Sequence, residues 1–220
     1  VTSATVLGSG VAALCAAHVL ARHGRQVGLH AGESSGGPRL VLNATTVQLV
    51  GRLFGEDVAR WPEAHALRGR WVRWDAAEGE RFFAEPAIAI ASADLARRLR
   101  ERVLGATDRI TLVGADAETA PERTRSRTGE RWIVAARGRG AAGASYRNWF
   151  RRSILSCEAA CDAALSTAVT EATSAGWLFL FPHAPGAATL QAMVAHVAAD
   201  PGAQLEAMLA ETRLIAPLLR

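Results

Sequence analysis

The first thirty residues alternate between apolar runs and glycine breaks in a way that predicts strand, tight turn, helix and strand. Ala4-Thr5-Val6-Leu7 is short, β-branched and apolar, the composition of a parallel strand buried on both faces. Gly8-Ser9-Gly10 breaks it. From Val11 to His23 alanine and leucine occupy nearly every helical face, as in a helix laid on a sheet. Gly24 stands where that helix needs a left-handed residue to end, and Gln26 to His30 returns to strand. Beyond the loop Gly32 to Pro38, the stretch Leu40 to Phe54 reads as helix in its later part. Arg70 to Trp74 and Arg81 to Phe83 read as strands around a turn at Glu78-Gly79. Leu95, Leu99 and Val103 recur at helical spacing within Ala93 to Leu104, with Asp94 or Ser92 as the cap. Arg109 to Val113 and Trp132 to Ala136 read as strands flanking a polar turn, Pro121 to Glu130. Trp149 to Ala164 reads as helix. Gly176 to Pro182 is a strongly apolar strand, and the turn His183-Ala184-Pro185-Gly186 sends Thr189 to Ala195 back as a hairpin. Asp200 and Pro201 have the N-cap and N1 chemistry of a last helix.

Composition narrows the class. At 220 residues, half of them hydrophobic, the chain is globular and long enough for one large domain or two intimate ones. All 25 basic residues are arginine, which excludes any mechanism that needs a lysine of this chain. The net charge is only +4, yet nine arginines fall between Arg123 and Arg152. With few aromatics and no nucleic-acid fold signature beside them, they read as a solvated or anion-facing loop, not as a nucleic-acid surface. Cys157 and Cys161 are spaced to share one helix face. Without a histidine or second cysteine pair they make no metal site and read as buried thiols in a reducing compartment. Ala4 to Ala21 carries no charged side chain, but its first basic residue, Arg22, lies behind the apolar run. A secretory signal has the reverse order, so the expectation is a soluble, cytoplasmic protein with no membrane partner.

Gly8-Ser9-Gly10-Val11-Ala12-Ala13 matches the dinucleotide fingerprint G-x-G-x-x-G/A between a strand and a helix. Gly8 permits the sharp bend, Gly10 lets a phosphate approach the backbone, and Ala13 lets the helix sit close to the sheet. The first amides of the helix and its dipole then face the pyrophosphate. A merely structural glycine turn is the competing reading. The acidic residue that takes the ribose hydroxyls belongs at the end of the second strand, where this chain has Ala31 and Gly32. The nearest carboxylate is Glu33, either the ribose ligand or an ordinary loop residue.

With these residues in place, the chain resembles FAD-dependent monooxygenases of the aromatic-hydroxylase type, especially their flavin-dependent halogenase branch. Besides the glycine motif, Trp177-Leu178-Phe179-Leu180-Phe181-Pro182 resembles the halogenase pattern W-x-W-x-I-P. Val134-Ala135-Ala136-Arg137-Gly138-Arg139 is similar to V-D-A-T-G-R, where that family returns to its FAD domain. The resemblance implies an α/β fold, a Rossmann-type FAD-binding βαβ core with an interleaved mixed-sheet substrate region. It implies FAD-binding segments at 1–60 and 88–142, and substrate-side sheet and helices at 61–87 and 143–220. The implied cofactor contacts are Gly8, Ser9, Gly10, Val11, Ala12, Ala13, Ala31, Gly32, Glu33, Ala117 and Gly138. A small-molecule or peptidyl substrate follows, with electrons from a flavin reductase or NAD(P)H.

The departures bear on activity. Ala135 and Arg137 stand where the family carries Asp and Thr. The lysine that halogenases place beside the flavin is missing, and so is the Gly-Asp segment that closes over the ribityl chain. The expectation is therefore the first part of such an enzyme or a degenerate relative: an FAD-dependent hydroxylase, or a dinucleotide-binding module without turnover. An NAD(P)-binding Rossmann domain is a third possibility. The Trp177 run is either a substrate-domain strand over the flavin or plain core. His183 is a candidate proton carrier or an exposed turn residue, and no catalytic residue is assigned.

Overall fold

The computed structural model describes residues 3–31, 37–74, 79–113, 132–136 and 152–220. The chain begins with β1 (Ser3–Leu7), α1 (Val11–Arg22) and β2 (Gln26–His30), followed by β3 (Arg39–Asn43) and α2 (Ala44–Phe54). Four short strands come next, β4 (His65–Leu67), β5 (Arg70–Arg73), β6 (Arg81–Phe83) and β7 (Ala87–Ala91). Then follow α3 (Ser92–Gly105), β8 (Ile110–Val113) and β9 (Trp132–Ala135). The last described part holds β10 (Ser153–Ala160), β11 (Ala168–Thr173), β12 (Gly176–Ala184), β13 (Ala187–Val194) and α4 (Pro201–Ala210).

Two compact units result. The first takes Val1–Gly37, Leu49–Glu56 and Ala91–Tyr146. Its four described strands form a sheet in the order β8-β2-β1-β9, every pair parallel. Ala4, Thr5, Val6 and Leu7 of the central strand are all buried, which is why that strand is apolar without alternation. α1 packs its buried Ala13, Leu14, Ala17 and Ala21 on this sheet and on α3. α3 answers with Leu95, Leu99 and Val103, one turn apart; burying a leucine of this kind contributes about 1.5–3 kcal/mol. α1 ends as its sequence predicts, on Gly24 at φ +79°, with Arg25 N–H donating back to the Leu20 carbonyl at 3.1 Å.

The second unit takes Pro38–Gln48, Asp57–Ile90 and Arg147–Arg220. A six-stranded sheet runs β10-β13-β12-β11-β5-β6, antiparallel except at the β5–β11 pair, and a three-stranded sheet runs β3-β7-β4. One face of the large sheet buries Val169, Leu178, Leu180, Leu190 and Ala192 with Met208 of α4 and Ile215. The other face packs Ala168 and Phe181 with Leu67 and Ala89 of the small sheet.

Several expectations are corrected. The stretch read as a helix from Trp149 to Ala164 is strand β10 over Ser153–Ala160, because all eight residues find antiparallel partners on β13. Cys157 and Cys161 therefore share no helix face: Cys157 is exposed on the strand, whereas Cys161 is buried. Neither Ser92 nor Asp94 caps α3; the N-cap is Ala91, without a side-chain hydrogen bond, because the helix continues directly from β7. Asp200 does cap α4, its carboxylate accepting from Ala203 N–H at 3.0 Å. Among the described residues no helix is long and apolar enough to cross a membrane.

Candidate dinucleotide site

The glycine turn lies at the C-terminal edge of the parallel sheet, where β1 has β2 on one side and β9 on the other. Open α/β sheets bind ligands at this edge, where neighbouring connections diverge. Gly8 is tied into it: its N–H donates to the His30 carbonyl at 2.9 Å, while Ala136 N–H donates to the Leu7 carbonyl at 2.7 Å. Its φ is +135°, and a Cβ there would come within 2.3 Å of the Ala136 carbonyl oxygen and 3.4 Å of the Ala13 Cβ. Gly8 is thus required twice, by conformation and by crowding.

Gly10 is different. It is the N-cap of α1, with φ −82° and ψ 175°, values open to any residue. Its carbonyl accepts from Ala13 and Leu14, at 3.0 and 3.2 Å. No side chain caps the helix, and no acidic residue occupies its first turn. Among the described residues nothing would lie within 4 Å of a Cβ on Gly10, so none of them crowds the turn. Among the described residues the amides of Ser9, Gly10, Val11 and Ala12 have no acceptor. Four donors and the positive end of a twelve-residue helix whose first turn carries no acidic residue suit a diphosphate. Ala13 is fully buried beneath the turn, where a larger side chain would lift the helix.

The remaining expected contacts divide. Ala31 follows the last residue of β2 and is half-buried. Gly32, Glu33, Ala117 and Gly138 lie outside the described residues, as do Arg137 and the turn Pro121–Glu130. Val134 and Ala135 sit in β9 opposite Val6 and Leu7, so this return stretch runs directly beside β1. The carbonyls of His30 and Ala136, which clamp Gly8, left no mark in the sequence, since any residue supplies a carbonyl.

In the second unit, the Trp177 run lies in β12 and serves two faces. Leu178 and Leu180 are core, while Trp177 and Phe179 are half-buried on the opposite face, Phe179 with its ring 5.1 Å from that of Phe181. His183 is not an exposed turn residue. The hairpin turns at Pro185-Gly186, and His183 sits within β12 with its ring against Glu158.

No protein-family model matches this chain. No curated protein matches its sequence either. Among solved structures the fold is similar to that of the peptidyl tryptophan dihydroxylase QhpG, essential for tryptophylquinone cofactor biogenesis, with a TM-score of 0.73 and 19% identity over 97% of this chain and 51% of that one. The flavin-dependent halogenase CmlS gives 0.74 and 14%, over 96% of this chain and 46% of that one. The myxobacterial chondrochloren halogenase CndH, described as a variant of FAD-dependent halogenases, gives 0.74 and 16%, over 96% and 57%. The chain spans about half the length of these proteins. At such identities the likeness establishes the fold, a mixed α/β architecture with a Rossmann-type parallel sheet shared with flavoenzymes.

Proposed function

We propose that this chain carries the FAD-binding portion of a flavoprotein oxidoreductase of the monooxygenase and halogenase type, acting on an aromatic or peptidyl substrate. One observation carries the reading: at the edge of a parallel sheet the amides of Ser9, Gly10, Val11 and Ala12 have no acceptor among the described residues, and the first turn of the helix they open carries no acidic residue. Ser9, Gly10, Val11 and Ala12 hold the pyrophosphate through their amides; Gly8 and Ala13 set the bend and the closeness of the helix. When bound, FAD supplies the redox-active ring and its reaction with oxygen, electrons coming from NAD(P)H or a flavin reductase. The similarity to flavoenzymes favours FAD over a nicotinamide dinucleotide.

Ala135 favours a second reading, a dinucleotide-binding module without turnover. It ends β9 beside Leu7, next to the glycine turn, and its methyl group offers a cofactor no hydrogen bond. Equilibrium titration with FAD and with NAD(P)H, followed by assay of flavin-dependent NAD(P)H oxidation, separates these readings. Saturable FAD binding with oxidation supports the enzyme, and binding alone supports the module. Absence of flavin binding with FAD in excess removes the enzyme, and absence of binding to either dinucleotide removes both.

A further inference from the structure

α1 buries five side chains, and four of them are alanine or leucine; the fifth is His18, only 7% exposed. Its ring rests on that of Phe54 at the end of α2, with the centroids 5.0 Å apart. The last carbonyls of a helix find no partner within it, and here neighbouring helices supply one. The imidazole of His18 is hydrogen-bonded to the Leu53 carbonyl. Arg102 of α3 takes the next one, its Nε donating to the Phe54 carbonyl at 2.9 Å and pairing with Glu56 Oε1 at 3.3 Å. α2 then closes on Gly55, at φ +71°, with Val50 and Phe54 buried. The stretch held in this way, Leu49–Glu56, is a short excursion of the chain into the first unit, since Pro38–Gln48 and Asp57–Ile90 on either side belong to the second.

Nδ1 of His18 is buried and has no hydrogen-bond partner among the described residues. A neutral imidazole carries one N–H, so the proton sits on Nε2, where it donates to Leu53, and Nδ1 keeps a bare lone pair. A second proton would have to go to Nδ1, where no acceptor meets it and water does not reach. The charges around the ring add to that cost. Burial is the largest influence lowering its affinity for a proton, and the positive charges of Arg22, one turn further along α1, and of Arg102 on α3 act in the same direction. The Leu53 hydrogen bond opposes them and is outweighed. Glu56, the carboxylate at this end of α2, is engaged by Arg102. A histidine that binds a proton less readily folded than free contributes stability above its free value, about 6.5, and loses it as pH falls from there towards the folded value.

We propose that His18 is a proton-operated latch on the end of α2. On mild acidification the ring takes a proton from solvent, an Nδ1–H bond forms, and the imidazolium leaves the interior for water. Leu49–Glu56 detaches from α1 and α3, uncovering Val50 and Phe54, while the parallel sheet stays folded. Loss of the proton closes the latch again. The device needs no cofactor, so it stands or falls apart from the flavoprotein reading.

Amide hydrogen exchange of the full chain, resolved by segment from about pH 7.5 to about pH 5.5 and divided by the intrinsic rate at each pH, tests the latch. Opening of Leu49–Glu56 is expected to grow several-fold on acidification, at most about tenfold per pH unit for one proton, while β1 and β2 keep their protection. That window lies above the ordinary carboxylate range, about 4. His65, whose affinity for a proton is lowered by burial and then by the charge of His183, lies in the second unit and is read in other segments. His18→Gln keeps a side-chain N–H for Leu53 but cannot titrate, and its α2 exchange is expected to be independent of pH. Exchange of Leu49–Glu56 that is flat in the wild type, that rises equally in His18→Gln, or that rises together with β1 and β2 overturns the proposal. If the variant does not fold, nitrogen-15 spectra of the wild-type imidazoles decide alongside the wild-type exchange. At about pH 6.5, where a free histidine is half protonated, the His18 ring must remain singly protonated at Nε2, and a half-protonated ring refutes the latch.

Discussion

Gly8 and Gly10 are two residues apart in one motif, and substitutions should separate their tasks. Gly10→Asp adds a side chain at an ordinary φ where no described residue lies within 4 Å of the new Cβ, so folding is expected to be unaffected. Two like charges about 4 Å apart near a protein surface repel by roughly 4 kcal/mol at an effective dielectric of 20. FAD affinity is therefore expected to fall by about a hundredfold or more in a flavin-fluorescence titration. Unchanged affinity would mean that the turn is only structural. Gly8→Ala should instead lose stability, by about 3 kcal/mol, since it combines a positive φ with overlap on the Ala136 carbonyl. A shift of the urea midpoint measures it, and an unshifted midpoint refutes the clamp. The motif was legible as a glycine pattern. That one glycine serves the fold and the other the ligand follows only from what surrounds each Cβ.

Individual elements show where local pattern loses to distant partners. Ser153–Ala160 contains no strong strand signal, yet β13 supplies a complete register and the segment is a strand. Glu171 of β11 is charged yet fully buried. It accepts from Arg73 Nη1 at 2.8 Å and from the amides of Arg213, Leu214 and Ile215 at 2.8, 2.9 and 3.2 Å. Burial alone would raise its pKa; the Arg213 and Leu214 amides, then Arg73 and Ile215, outweigh it and hold the carboxyl below its usual value. A carboxyl whose pKa is lower folded than unfolded contributes stability above its unfolded value, about 4.3, and loses it as pH falls towards the folded value. Wild-type stability should therefore decline on acidification below about pH 5, and Glu171→Gln should flatten that limb. The same variant should lose about 3–5 kcal/mol at neutral pH, since Arg73 is left without its carboxylate. Urea midpoints across pH test both, and a slope unchanged in the variant refutes the assignment. At α4, Asp200→Ala should cost about 1 kcal/mol through the lost cap, readable as a lower thermal midpoint.

For the molecule as a whole, ligand binding offers a test that needs no turnover. FAD at a hundred times its Kd stabilises the state that binds it by about 2.7 kcal/mol. The slowing of backbone hydrogen exchange should begin in β1, α1 and β2, whose junction holds the glycine turn. Protection confined to the second unit would place the cofactor elsewhere. By itself the sequence determined the strand-turn-helix-strand opening, the hairpin of β12 and β13 and the cap of α4. Each is written in neighbouring residues through periodicity, a glycine or a side chain within a few positions of its target. Tertiary structure alone decided the order β8-β2-β1-β9, the strand at Ser153–Ala160, the burial of Glu171 and the joining of Arg39, Glu158 and His183. Those features bring together groups as far apart as Ala4 and Trp132 or Arg39 and Glu158, and no local pattern encodes a partner that distant.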